Sequence, residues 1–193
     1  MGNIEAEFNG RQHTTEGANG SEPFIREATT EDLHVLEAVL LDAYSQYEQE
    51  LPDDVWIAYK ASIVEAIEQS STVAKLVAEL DGEVVGSVFV YASSETAYGR
   101  PELGIHSPVI RLLGVTSKAR GRGVAMALIR ASAQFARESG AHTLHLHTSD
   151  MMGEAIRLYE RLGFERAYDK EFTTGQALVK SYCLQLANTP LLQ

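Results

Sequence analysis

Leu112-Leu113-Gly114-Val115-Thr116-Ser117-Lys118-Ala119-Arg120-Gly121-Arg122-Gly123-Val124-Ala125 passes from an apolar strand pattern through a short loop and straight into an apolar-periodic helix. That order reads as a phosphate cradle. Two glycines let the backbone approach a ligand closely, and the first turn of the following helix offers N–H groups with no partner inside the helix. Arg120 and Arg122 add two planar guanidinium forks suited to phosphate oxygens. The loop is a basic island in an acidic chain, since 16 Lys and Arg stand against 27 Asp and Glu for a formal net charge of -11 over 193 residues.

Two common phosphate loops are excluded by the residues themselves. A P-loop ends in Gly-Lys-Ser/Thr, which is missing here, and a dinucleotide fingerprint needs a third glycine at position 126, where Met126 stands. The order Arg120-x-x-Gly123-x-Ala125 instead resembles the coenzyme A signature Gln/Arg-x-x-Gly-x-Gly/Ala of the GCN5-related N-acetyltransferase family. A second block, Ala155-Ile156-Arg157-Leu158-Tyr159-Glu160-Arg161-Leu162-Gly163-Phe164-Glu165, resembles the later helix-plus-strand segment of the same family, including its tyrosine. The resemblance covers residues 24 to 187 and implies an α/β (α+β) fold with a mixed, mostly antiparallel central sheet flanked by helices.

It also implies roles. The pyrophosphate of coenzyme A would lie against the backbone N–H groups of Gly121, Arg122, Gly123, Val124 and Ala125, with Arg120 and Arg122 adding charge-assisted bonds and Gly123 allowing the closest approach. Leu113, Gly114 and Val115 would pair with the pantetheine arm as if with an added strand and aim an N–H at the thioester oxygen. Tyr159 would return a proton to the departing thiolate. Many relatives take the proton of the amine with a carboxylate on or near the strand, but here the strand offers only Arg111. Glu102, His106, His147 and Asp150 are the alternatives. The chain departs from the family pattern at Ser117, where proline is usual, and at Met152, where an asparagine that contacts the cofactor is frequent.

Composition bounds the rest. The chain is 45% hydrophobic and 22% charged, which suits one domain with a sizeable core. Residues 1–21, rich in Gly and Asn, are expected to form a disordered tail before a single acetyltransferase domain at 22–193. The acidic balance argues against nucleic acid or an anionic membrane surface as partner. Cys183 is the only cysteine, so no intrachain disulfide forms, and its strand-like setting reads as a buried structural thiol. His145 and His147 share a strand face at a spacing that could hold a metal, but no third ligand is evident and no metal is expected. With no signal-peptide core and no run near the roughly 20 apolar residues of a membrane span, a cytoplasmic address is expected.

Along the chain, Phe24-Ile25-Arg26 opens a strand and Thr29-x-x-Asp32 marks a helix start, with Leu33, Leu36, Leu40 and Ala43 at helical spacing. A second helix begins after Pro52 and carries Val55, Ala58, Ile63 and Ile67. Asp81-Gly82 predicts a type I′ hairpin within Thr72 to Ala92. Ser93 to Pro108 is a long polar stretch, too long for a plain turn. Val109 to Val115 is the next strand, and a helix follows from about Gly121 to Ser139. His142 to His147 alternates as a strand, Gly153 to Leu162 reads as a helix, and Phe164 to Tyr168 with Val179 to Leu186 close the order as two strands.

The expected function is transfer of an acetyl group from acetyl-CoA, as co-substrate, directly to a primary amine of a small molecule or peptide. The alternative is a non-catalytic acyl-CoA sensor or interaction module of the same fold, favoured by the missing strand carboxylate and by Met152. A nucleotide-phosphate binder would use the same loop. An exposed strand near the C-terminus allows a homodimer.

Overall fold

Asp81 at φ 54° and Gly82 at φ 82° are two consecutive left-handed residues, the geometry of the type I′ turn that their identities predict. They join β2 (Thr72–Leu80) to β3 (Glu83–Tyr91) in an antiparallel hairpin. The computed structural model describes residues 22–69, 71–175 and 177–193. The tail expected at residues 1–21 lies outside the described residues.

Outward from the hairpin, β1 (Phe24–Glu27) pairs with β2, and β4 (Val109–Val115) pairs antiparallel with β3. β5 (Thr143–Thr148) runs parallel to β4, and β8 (Ala177–Gln185) runs antiparallel to β5. Two short strands, β6 (Glu165–Arg166) and β7 (Phe172–Thr174), pair with β8. Among the described residues the sheet order is therefore β1-β2-β3-β4-β5-β8-β6, with β7 on β8. The one parallel pair sits in an otherwise antiparallel sheet, the architecture the resemblance implies.

Helices cover both faces. α1 (Leu33–Tyr44) and α2 (Asp53–Glu68) pack Leu36, Leu40, Trp56 and Ile63 against Val77, Phe89 and Tyr91 on one face. α4 (Val124–Glu138) and α5 (Gly153–Arg161) bury Leu128, Ile129 and Tyr159 against Val88, Val90, Leu144 and Leu146 on the other. Residues 88–91 of β3 are all buried because alternate side chains meet opposite helix layers. The Thr29–Asp32 start is held by the Asp32 carboxylate, which accepts from the Thr29 N–H at 2.7 Å and from Arg26 Nη1 at 2.7 Å. The Arg26 guanidinium holds the Asp32 carboxyl well below its usual range.

Several expectations shift. α4 starts at Val124, not near Gly121, because Gly121 (φ 75°) and Gly123 (φ 78°) are left-handed and end the loop before the helix begins. Val55 faces outward; Trp56 takes the inner position, its Nε1 donating to Glu48 at 2.9 Å. The stretch after Ser93 holds a five-residue helix, α3 (Ser94–Tyr98), capped by Ser93 and Thr96. The final strand is covered by β5 on one side and by β6 and β7 on the other, so the exposed edge near the C-terminus belongs to the short strands. Among the described residues no helix is long and apolar enough to cross a membrane.

Candidate active site

β4 and β5 hold parallel register only at Val109–His145 and Ile110–Leu146. Beyond that point they part, and β4 continues to Val115 with one edge open. Two features organise that edge. Leu112 adopts φ 51°, a left-handed conformation that costs a β-carbon-bearing residue about 1–2 kcal/mol, and the β3–β4 register slips between Ser87 and Phe89. Past this bulge, Thr116 N–H donates to Val85 O at 2.8 Å. By the alternation of an antiparallel ladder, Gly114 then turns its polar groups to β3, while Leu113 and Val115 turn theirs to the open edge.

Gly114 has a different use. A β-carbon there would lie 2.9 Å from Leu40 Cδ2 and 3.0 Å from Ala43 Cβ, so its bareness lets α1 lie directly on β4. The end of α1 brings in Tyr44, whose hydroxyl donates to Leu113 O at 3.2 Å.

The glycine loop faces the same opening. A β-carbon at Gly121 or Gly123 would meet nothing within 4 Å; there the left-handed backbone, not crowding, requires glycine. Ala127 N–H bonds Gly123 O at 3.0 Å. The N–H groups of Val124, Ala125 and Met126 precede the first intrahelical bond and donate to no other backbone group among the described residues.

A cavity of about 930 Å³ joins these parts. Leu113, Gly114, Val115, Arg120, Gly121, Gly123, Val124, Ala125 and Tyr159 all line it. Arg122 does not: its side chain runs back to Asp81 on the hairpin turn at 3.4 Å. Arg120 lines the cavity but spends one nitrogen on Ala43 O at the end of α1, 3.2 Å away. Tyr159 is 7% exposed, its ring against Phe164 and Tyr182. Burial, reinforced by Tyr47 and Tyr59, pushes its phenol well above the usual value. Tyr59, also in the wall, is pushed up to about 12, again mainly by burial.

Of the four proposed bases, only His147 lines the cavity. Its Nε2 lies 3.1 Å from Lys170 O, and a carbonyl only accepts, so Nε2 carries the proton and Nδ1 the lone pair. Nδ1 is enclosed without a partner, and burial holds the imidazole below its usual pKa. Asp150 instead pairs with Lys180, and Glu102 with Arg100. His106 is exposed and away from the cavity. His145 Nε2 approaches Cys183 Sγ at 3.6 Å. Burial pushes that thiol up and that imidazole down to about 4. Among the described residues no group of three His, Cys, Asp or Glu is placed to hold a metal.

The two departures from the family pattern have local explanations. Ser117 N–H, which a proline would lack, donates to Asp42 Oδ2 at 2.6 Å and ties the loop to α1. Met152 puts a thioether into the cavity wall and packs against the α1–α2 core. Sequence reasoning missed Tyr44, Leu112 and Asp42, because no local pattern marks a helix-borne hydroxyl, a left-handed leucine or a carboxylate 75 residues from its partner.

Central parallel strands that part beside a glycine-capped helix, within an otherwise antiparallel sheet, complete the architecture that the resemblance implies. The chain belongs to the Acetyltransferase (GNAT) family, which it matches over residues 33–164. It is 40% identical over 90 residues to N-acetyltransferase family 8 member 2 of Rattus norvegicus, 47% of this chain and 38% of that one. To N-acetyltransferase 8F1 of the same organism it is 34% identical over 110 residues, 57% and 48% of the two chains. These matches span less than half the length of the relatives. Among solved structures, ribosomal-protein-alanine N-acetyltransferase from Brucella melitensis aligns with TM-score 0.60 and 25% identity over 84% of this chain and 99% of that one. The Salmonella typhimurium protein yncA, solved with its cofactor acetyl-CoA, aligns with TM-score 0.57 and 17% identity over 87% and 96%.

Proposed function

We propose that the chain is an acetyl-CoA-dependent N-acetyltransferase that passes the acetyl group directly to a primary amine of a small molecule or peptide. One observation carries the reading: a single cleft joins the open edge of β4, the unpartnered N–H groups of α4 and a buried phenol. These groups fit the parts of coenzyme A. The α4 N-terminus and the open space over Gly121 and Gly123 suit a pyrophosphate, with Arg120 beside it. Leu113 and Val115 offer strand-type hydrogen bonds to an amide-bearing arm. Leu113 O has two lone pairs, so it can keep Tyr44 as donor and still accept from that arm.

When bound, acetyl-CoA supplies a thioester that an amine attacks at its carbonyl carbon, forming the amide and releasing the thiol. The protein's part is to position, polarise and protonate. N–H groups on the open edge stabilise charge developing on the carbonyl oxygen. Tyr159 holds its proton firmly because burial disfavours the phenolate, and a thiolate leaving group draws that proton in the transition state. Arg122, tied to Asp81, stands outside this group and acts at most on the rim. The expected cytoplasmic setting belongs to the same proposal.

The test is transfer itself. Acetyl-CoA and a panel of amines are incubated with the protein, thiol release is followed by absorbance, and the acetylated amine is identified by its mass. Enzyme-dependent thiol release coupled to an amine mass increase upholds the reading. Acyl-CoA binding without transfer to any amine, unchanged by Tyr159→Phe, points instead to the sensor.

A further inference from the structure

Arg111 is the residue that the family reading leaves without a task. It is the one charged residue of β4, and it lines both the main cleft and an adjoining cavity of about 680 Å³. Its guanidinium lies over the Tyr98 ring at 4.8 Å and the Tyr91 ring at 5.5 Å, and it donates to Ala97 O. Among the described residues no carboxylate pairs with it. In a chain of net charge -11, a half-buried arginine without an acidic partner is out of keeping with its surroundings. Its charge is felt throughout the cleft: it opposes the rise of the Tyr44, Tyr59 and Tyr98 phenols and adds to the depression of His147.

The adjoining cavity continues that character. Arg100, paired at its outer side with Glu102, is a second guanidinium in the wall, stacked 4.5 Å over the Phe172 ring. Gln69, Ser71, Thr96 and Thr174 add neutral donors, and among the described residues no Asp or Glu lines the space. Tyr98, His147 and Phe172 form an aromatic cluster, with centroids 4.9 to 5.7 Å apart, beside Arg111. A pocket with two cations, hydroxyls and aromatic walls, and no acid among its described lining residues, disfavours an ammonium and favours an anion attached to an apolar body. Arg111 precedes Leu113 by two residues across the Leu112 bulge, and both line the main cleft. An anion on Arg111 would therefore leave the remainder of a small acceptor within reach of the open edge.

Resting on the acetyltransferase reading, we propose that the acceptor is an amino acid or short peptide whose carboxylate binds Arg111 and whose apolar or aromatic side chain enters the cavity beside Tyr98 and Phe172. Arg111 would then select and orient the acceptor by its anionic group.

The experiment compares matched acceptors. The panel is the free L-amino acids with aliphatic and aromatic side chains, each beside its amide and its decarboxylated amine, assayed by thiol release with acetyl-CoA. Wild type should prefer the acid by about 10- to 100-fold in kcat/KM, the size of a charge-assisted hydrogen bond. The difference should appear mainly in KM. Arg111→Gln should abolish that preference, Arg111→Lys should restore part of it, and acetyl-CoA affinity measured by calorimetry should be unchanged in both. Arg100→Gln, whose guanidinium is partly spent on Glu102, should weaken the preference less. If acetyl-CoA binds but amides or plain amines are used as well as the acids, or no acid is accepted, the proposal fails while the family function stands. A preference that survives Arg111→Gln also overturns it. The wild-type comparison decides even if a variant does not fold. Failure of acetyl-CoA to bind at all would remove the acetyltransferase reading itself, and this proposal with it.

Discussion

Gly114→Ala isolates the contact on which the cleft's geometry depends. The new methyl would stand 2.9 Å from Leu40 Cδ2, 3.0 Å from Ala43 Cβ and 3.6 Å from Tyr44 Cε2. Comfortable carbon contacts are about 3.5–4.0 Å, so two of the three are too close by about half an ångström or more. Leu40 is fully buried, so its Cδ2 can give way only by repacking its neighbours, and the Ala43 methyl moves only with the helix backbone. α1 must therefore lift from β4. Overpacking of this kind costs about 1–3 kcal/mol, offset by about 0.5–1 kcal/mol from removing a flexible glycine from a strand. The expected net loss is about 0–2.5 kcal/mol, centred on about 1 kcal/mol and read as a lower urea midpoint at unchanged slope. Lifting α1 also withdraws Tyr44 from Leu113 O, so acetyl-CoA affinity should fall severalfold. A variant as stable as wild type with undiminished affinity would show that α1 does not rest on Gly114 as described.

Other outcomes follow from the same geometry. Tyr159→Phe should leave stability within about 0.5 kcal/mol, because the ring contacts remain, yet lower turnover by about 10²-fold or more; turnover within threefold of wild type would exclude Tyr159 as the acid. Gly123→Ala places no methyl against another atom but forces alanine to φ 78°, a strain of about 1–2 kcal/mol, and should weaken acetyl-CoA binding; unchanged calorimetric affinity would contradict the cradle. His145 has its pKa lowered to about 4 from 6.5, so the unfolded chain binds more protons between those values and stability should fall as pH drops from 6.5 towards 4. His145→Asn should flatten that part of the profile, and an equally steep loss would assign it to other groups. Asp32 is held low by Arg26, so its contribution is present above about pH 3.9 and is lost as acid protonates it. Asp32→Asn should accordingly be less stable than wild type at pH 7, with the gap closing in acid; a constant gap would count against the pairing.

Local chemistry accounts for what the chain discloses in advance. Asp81-Gly82 specifies its turn because two consecutive positive φ angles admit few residues, and β4 from Val109 to Val115 is apolar but for Arg111 and follows Pro108. Gly121 and Gly123 are readable for the same reason as the turn, although their left-handed angles delay the helix to Val124. Features that depend on distant partners are not readable. Leu112 is left-handed because the bulge and the α1 packing hold it there, and nothing in its neighbours marks that. Arg122 looks like a phosphate ligand until the hairpin brings Asp81 to it. β7 is three residues paired to β8, too short to show a period. The aromatic and arginine lining of the second cavity comes from α3 and the residues just after it, β4 and β7, separate stretches that only the tertiary fold brings together.

The central claim is that the cleft between β4 and β5 receives acetyl-CoA through the α4 N-terminus and the open edge of β4. Calorimetric titration of the purified protein with acetyl-CoA, with coenzyme A and ATP as comparators, tests it most directly. Micromolar binding selective for acetyl-CoA, weakened in Gly123→Ala, is the predicted result; no binding, or a preference for ATP, would contradict the account.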